Sequence, residues 1–157
     1  MNKQTKIQLH GRDFELEAFV PFQLAVVANR LNLALLKIVN RRHDLRTKEW
    51  RMLTTLERFQ PCSALKIAQM TSMDPARVSR AQRKLVRMGL VEAETDLVDR
   101  RRVVLSLTEI GQNLIDELTP EALKTEDWLM AKLSDKEKEQ FKSIMAKLFT
   151  STDREVE

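Results

Sequence analysis

Arg77, Arg80, Lys84 and Arg87 follow one another at spacings of three, four and three in the stretch PARVSRAQRKLVRM, with no acidic residue among them. On an α-helix these four cations fall within one arc of about 80°, while Val78, Ala81, Leu85 and Met88 occupy a neighbouring arc rotated by roughly 100°. One flank of such a helix sits on a core and the next projects a row of positive charge. A few residues later come Asp99 and three consecutive arginines, Arg100, Arg101 and Arg102, at the head of an alternating apolar run. Cations at this density suit a polyanion. A solvated basic helix face and a charged, aggregation-resistant sheet edge are the bland alternatives.

The neighbouring segments decide between these readings. Asp74-Pro75 is a helix start, an N-cap acceptor followed by a first-turn proline, and Gly89 is the stop. Ser63 starts a shorter helix, ALKIAQM, and TSM is a tight turn between the two. A short helix, a turn and a second helix with exposed cations is the helix-turn-helix pattern, which lays its second helix in the DNA major groove. Arg77 and Arg80, in the first turns, are then the base readers, since a guanidinium bonds guanine at two points. Lys84 and Arg87 lie further along and fit phosphates. LVEAET and RVVLSL read as two strands joined by the turn DLVDR, a wing beside the DNA. There one arginine enters a narrow, A·T-rich minor groove, another holds a phosphate, and Asp99 orients either by a charge-assisted bond.

The rest of the chain has to hold these pieces. Residues Lys6–Glu17 alternate weakly around His10-Gly11, as a hairpin or as an arm on a partner subunit. From Pro21 to about His43 the pattern is helical and apolar on nearly every side, which predicts burial by a second subunit. Thr47 is the expected cap of a helix TKEWRMLTTLERF that ends before Pro61. Thr108 opens a helix running to Thr119-Pro120, where a kink or restart is expected. Ser134 and Glu137 form a capping box for a last helix, KEKEQFKSIMAKLF.

The 157 residues suit one compact domain with oligomerisation elements, 43% hydrophobic and 32% charged, and three glycines with four prolines favour a mostly helical chain. Net charge is +9 over residues 1–107 and −5 over 108–157, which together make the +4 of the chain, a basic body with an acidic tail. A lone cysteine, Cys62, excludes an intrachain disulfide framework and fits a reducing compartment. Neither a signal peptide nor a membrane span is read in the sequence, and a cytoplasmic protein is expected.

The stretch Leu45–Leu118 resembles the MarR family of bacterial transcriptional regulators, dimeric winged-helix proteins. The resemblance is carried by LRTKEWRMLTTLERF, by LKIAQMTSMDPARVSRAQRKLVRMGLVE, and above all by DLVDRRRVVLSLTEIG. With the flanking helices it extends from Pro21 to Phe149. It implies a mainly α fold with a small β-hairpin wing: an N-terminal arm over 1–19, dimerisation helices over 20–46 and 108–150, a winged helix-turn-helix over 47–107 and a tail over 151–157. The minor-groove arginine maps to Arg101, with Asp99 as its partner, and the early base contacts map to Ala76, Arg77 and Arg80. Ser79, Arg83, Lys84, Arg87 and Arg100 complete the expected DNA face. Leu97 departs from the pattern, because the family often has proline there.

The resemblance also implies a homodimer on a palindromic operator of double-stranded DNA, a repressor released by a small effector, aromatic or anionic. Arg41, Arg42, His43, Arg46, Trp50 and Arg51 are the expected cations and aromatic face of the effector cleft, although Trp50 equally suits a core. Redox sensing through Cys62 and a winged-helix protein-interaction module are the alternatives. The module predicts a neutral or acidic second helix, against Arg77–Arg87. No catalytic constellation, cofactor or metal site is read: His10 and His43 are far apart, and no phosphate-cradling glycine loop, zinc-ligand spacing or serine nucleophile motif occurs. RNA binding is disfavoured by 5% aromatics and the absence of tyrosine.

Overall fold

The computed structural model describes residues 7–9 and 12–153, with the side chains of residues 7–9, 12–14, 39–42 and 153 excepted. The first described elements are two antiparallel strands, β1 (Ile7–Leu9) and β2 (Arg12–Phe14), with Ile7 opposite Phe14. The expected His10-Gly11 turn lies outside the described residues. One 3₁₀ turn, Leu16–Ala18, leads into α1 (Val20–His43), whose first turn holds Pro21. A proline is tolerated there because the first N–H groups of a helix have no intrahelical partner. Asp44 ends α1 in the left-handed conformation, φ 49 and ψ 30.

α2 (Thr47–Phe59) starts differently from the expected Thr47 cap. The N-cap is Arg46, and the Glu49 carboxylate accepts its N–H at 2.8 Å. α3 (Ala64–Thr71) is capped by Ser63, whose hydroxyl accepts the Lys66 N–H at 3.2 Å. Ser72 turns the chain at φ 50, and Asp74 caps α4 (Pro75–Arg87) by accepting the Arg77 N–H at 3.1 Å. The strands β3 (Val91–Thr95) and β4 (Val103–Leu107) pair antiparallel, from Val91 opposite Leu107 to Thr95 opposite Val103. Cys62 bridges to Leu105 on the free side of β4, tying the segment before α3 to the wing.

α5 (Glu109–Met130) passes through Pro120 without restarting. Proline removes one ladder bond, yet the turn before it stays closed, and the Thr119 hydroxyl adds a bond to the Ile115 carbonyl at 2.7 Å. α6 (Asp135–Asp153) opens on the expected capping box: the Ser134 N–H donates to Glu137 at 2.8 Å, and Ser134 accepts the Glu137 N–H at 3.4 Å. It continues three residues beyond the expected dimerisation helix. None of the described helices is long and apolar enough to cross a membrane.

Burial divides the molecule. Leu45, Met52, Leu53, Leu56, Ile67, Val78, Leu85 and Leu105 are fully or almost fully enclosed, so the core sits among α2, α3, α4, β4 and the first half of α5. Neither α1 nor α6 encloses a described side chain within the protomer. Phe19, Phe22, Leu24 and Val27 toward the start of α1 are exposed, as are Ile144 and Phe149 on α6. An apolar surface this extended on two helices is the mark of an interface.

Candidate nucleic-acid interface

α4 divides as its spacing predicts as far as Leu85, while Met88, expected on the core arc, is exposed. Val78, Ala81 and Leu85 are buried against the core, while Ala76, Arg77, Ser79, Arg80, Arg83 and Arg87 are exposed. Among the described residues, no carboxylate pairs with Arg77, Arg80, Arg83 or Arg87. Arg83 donates weakly to the Ser79 carbonyl one turn back, at 3.4 Å. The flank therefore carries uncompensated positive charge on donors that remain available to a ligand.

Lys84, expected at a phosphate, is engaged within the protomer. Its ammonium is turned to the end of α1, where it donates to the Asp44 carbonyl and to Asp44 Oδ2, the latter at 3.0 Å. The left-handed backbone of Asp44 leaves both oxygens open to α4. Lysine's flexible stem follows them, and its side chain is only 19% exposed.

The wing turn is longer than the expected DLVDR. It spans residues 96–102, so all three arginines stand in the loop and β4 begins at Val103. Two aspartates build the loop. Asp96 Oδ1 accepts the N–H groups of Val98 at 2.8 Å and Asp99 at 3.3 Å, which hold its carboxyl below the usual aspartate range. Asp99 Oδ1 accepts the Arg101 N–H at 3.1 Å, and its other oxygen pairs with Arg102 Nε at 3.1 Å. The expected Asp99–Arg101 partnership is thus a main-chain one, and the ion pair belongs to Arg102. Arg100 and Arg101 project from the loop beside Leu97 and Val98, which are 97% and 96% exposed. The turn bonds of Asp96 restrain the loop around Leu97.

Recognition helix and wing are joined at one tight point. Gly89 ends α4 at φ 71; its carbonyl accepts the Thr108 hydroxyl at 2.6 Å, and the Leu90 carbonyl accepts the Thr108 N–H at 3.1 Å. Thr108 also caps α5 by accepting the Gly111 N–H at 3.1 Å. A Cβ on Gly111 would lie 2.0 Å from the Leu90 carbonyl oxygen, so only glycine lets α5 approach this closely. The Leu-Thr-Glu-x-Gly motif is therefore a joint.

The expected effector residues do not assemble as a group. Trp50 is 8% exposed and belongs to the core, offering no free aromatic face. Arg46 caps α2, and Arg51 donates to Asn32 at 3.3 Å. His43 Nε2 lies 3.3 Å from Glu117 Oε1 on α5. The side chains of Arg41 and Arg42 lie outside the described ones. Instead, a cleft of about 550 Å³ opens between α1 and α5, lined by Arg30, Lys37, Lys124, Leu33 and Trp128 among others. Trp128, 65% exposed, is its aromatic wall. Among the described side chains, none of the expected effector residues lines it, and its α5 wall was missed, since nothing in the sequence pairs Trp128 with Arg30.

Cys62 is 5% exposed, and burial pushes its thiol up, against a smaller opposing pull from Lys66. A protonated, enclosed thiol does not suit the redox alternative.

Comparison with known proteins agrees with this geometry. Residues 45–103 match the MarR family. The transcriptional repressor NicR of Pseudomonas putida is 28% identical over 101 residues, a match spanning 64% of this chain and 64% of the relative. The crystal structure of a MarR/EmrR family transcriptional regulator from Acinetobacter sp. ADP1 superposes with a TM-score of 0.81 and 27% identity, covering 90% of this chain and 99% of that one. BpsR of Bordetella bronchiseptica, whose DNA binding is regulated by 6-hydroxynicotinic acid, shares the fold at TM-score 0.78 and 21% identity, covering 87% and 97%. Over residues 45–103 the sequence matches the MarR family, and the fold is similar to that of MarR-family regulators of known structure.

Proposed function

We propose that this chain is a homodimeric, DNA-binding transcriptional regulator, a repressor that acts in the cytoplasm on a palindromic operator and lets go when a small anionic aromatic molecule binds. The observation that carries the DNA reading is the uncompensated row Arg77, Arg80, Arg83 and Arg87 on the exposed flank of α4, followed by a braced wing presenting Arg100 and Arg101. Arg77 and Arg80 read bases, Ala76 and Ser79 allow the backbone close approach, and Arg83 and Arg87 hold phosphates. Arg101 enters the minor groove, with Arg100 on the adjoining backbone.

The exposed apolar faces of α1 and α6 support dimerisation through the helices that flank the winged unit. Two-fold symmetry then sets the recognition helices about 34–36 Å apart, one turn of DNA. The cleft between α1 and α5 is the proposed effector site. Arg30 and Lys37 suit a carboxylate or a thioester's phosphates, Lys124 being paired with the lining Glu121 at 2.5 Å, and Trp128 suits an aromatic ring.

Fluorescence anisotropy on the DNA upstream of the protein's own gene, against a random duplex and across a salt series, tests the reading. Tight binding that survives about 150 mM salt, with random DNA far weaker, is expected. Equal, weak and salt-labile binding to both duplexes overturns it for that DNA.

A further inference from the structure

Lys84 sits in the last turns of α4, past the residues that reach bases in a helix-turn-helix. Among the described residues it is the only member of the basic row with an acidic partner. That partner ends a different element. Asp44 closes α1 in the left-handed conformation, which helix ends ordinarily give to glycine or asparagine. An aspartate held there has a use for its oxygens, and both the carbonyl and the carboxylate meet Lys84.

The location gives the contact its meaning. α4 packs chiefly on α2, α3 and β3, while α1 packs on α5 and α2. The recognition helix therefore rests on the winged unit, and the Lys84–Asp44 contact ties it directly to the end of α1. One residue earlier, His43 meets Glu117 on α5, so the same corner also touches the helix that carries the second wall of the α1–α5 cleft, four residues before its lining residue Glu121.

We propose that Lys84 and Asp44 are a positioning pair: their contact passes the placement of α1, and with it the state of the α1–α5 cleft, to the recognition helix, and Lys84 holds no DNA phosphate. The inference rests on the DNA-binding reading above. A shift of α1 against α5 moves Asp44, and Lys84 carries that displacement to α4 through two hydrogen bonds.

The full chain is compared as wild type, Lys84→Met, Lys84→Arg, Asp44→Gly and the Asp44→Gly/Lys84→Met double variant. Glycine takes φ 49 without strain, so Asp44→Gly removes the carboxylate while leaving the helix end and its carbonyl in place. The DNA probe is a duplex selected from a random-sequence library. Lys84→Met and Asp44→Gly are each expected to weaken binding to it about three- to tenfold. The double variant should be no weaker than Lys84→Met, Lys84→Arg should bind near wild type, and the slope of affinity against salt should stay unchanged. A slope reduced by about one in Lys84→Met, with Asp44→Gly binding as tightly as wild type, makes Lys84 a phosphate contact and overturns the pair.

Amide hydrogen exchange without DNA is an independent readout. Faster exchange in α4 in both single variants is expected, and unchanged exchange there overturns the tie. Should the wild type take the selected duplex no better than a random one, the DNA-binding reading falls, and exchange in α4 alone decides whether the tie exists.

Discussion

Gly111→Ala is expected to destabilise the protein even though it places a better helix former in a helix. Alanine is favoured over glycine by about 0.8–1.0 kcal/mol in a helix interior, so an unobstructed site would gain that amount. Here the new Cβ meets the Leu90 carbonyl oxygen at 2.0 Å and the Leu90 carbonyl carbon at 3.0 Å, with a Leu107 methyl at 3.4 Å. The first two are backbone atoms and cannot rotate away. Relief requires α5 to retreat from the end of α4 by about 1 Å, which strains packing around Leu114 and Ile115 at about 1–3 kcal/mol. It also stretches the bond from the Thr108 N–H to Leu90, for about 1 kcal/mol more. With the helix gain subtracted, a net loss of about 1–3 kcal/mol remains, or about 2–12 °C in Tm for a chain of this size. Circular-dichroism melts at fixed protein concentration measure it, because the stability of the proposed dimer would depend on concentration. Gly89→Ala is the control: its Cβ meets nothing within 4 Å, so only the left-handed strain at φ 71 remains, about 1–2 kcal/mol. A Gly111→Ala variant that melts at or above the wild type refutes the close approach and the reading of Thr108–Gly111 as a joint.

Arg80→Ala should lose about 1–3 kcal/mol on a selected duplex and relax preference at one base position; equal weakening on specific and random DNA would make it a phosphate contact. Arg101→Ala should weaken binding most where the flanks are A·T-rich, and a loss that ignores flank sequence would place it on the backbone. The Asp96 carboxyl is lowered from 3.8 by N–H bonds from Val98 and Asp99, so its contribution to wing order is complete above the unfolded value and disappears as pH falls through the folded one. An NMR titration should find Asp96 titrating below 3.8, with the wing amides unchanged from pH 8 down to about 5; a midpoint above that value would deny the turn bonds. Cys62, raised by burial, should react with iodoacetamide far more slowly in the native protein than in urea, and comparable rates would show the site to be open.

Much of the interface was legible because its signals are local. The caps at Ser63 and Asp74, the stop at Gly89 and the charge row on α4 all depend on neighbours within one or two turns. Boundaries drifted where a side chain chose a partner the pattern did not name. Glu49, not Thr47, satisfies the start of α2, and the aspartates at 96 and 99 draw Arg101 and Arg102 into the wing loop. A kink or restart is expected at Pro120 because proline lacks a donor, and the helix does not restart: α5 runs on through it over 22 residues.

Two placements share a cause. Trp50, for which a core position was the stated alternative, and Lys84 are read from residue type: an aromatic beside cations, and a cation in a basic row. What decided them was the element across from each, the core beneath α2 and the end of α1 beside α4. Contacts between residues 40 positions apart leave no mark on periodicity. They are also the contacts that join one functional unit to another. A basic helix alone accounts for affinity toward DNA; dependence of that affinity on a small molecule requires a physical link from the cleft to the helix. The winged unit was readable from sequence because its affinity lies in exposed charge, and the link was not because it lies in tertiary contact. For the same reason, variants at Asp44 and Lys84 should alter the response to an effector more than they alter the fold.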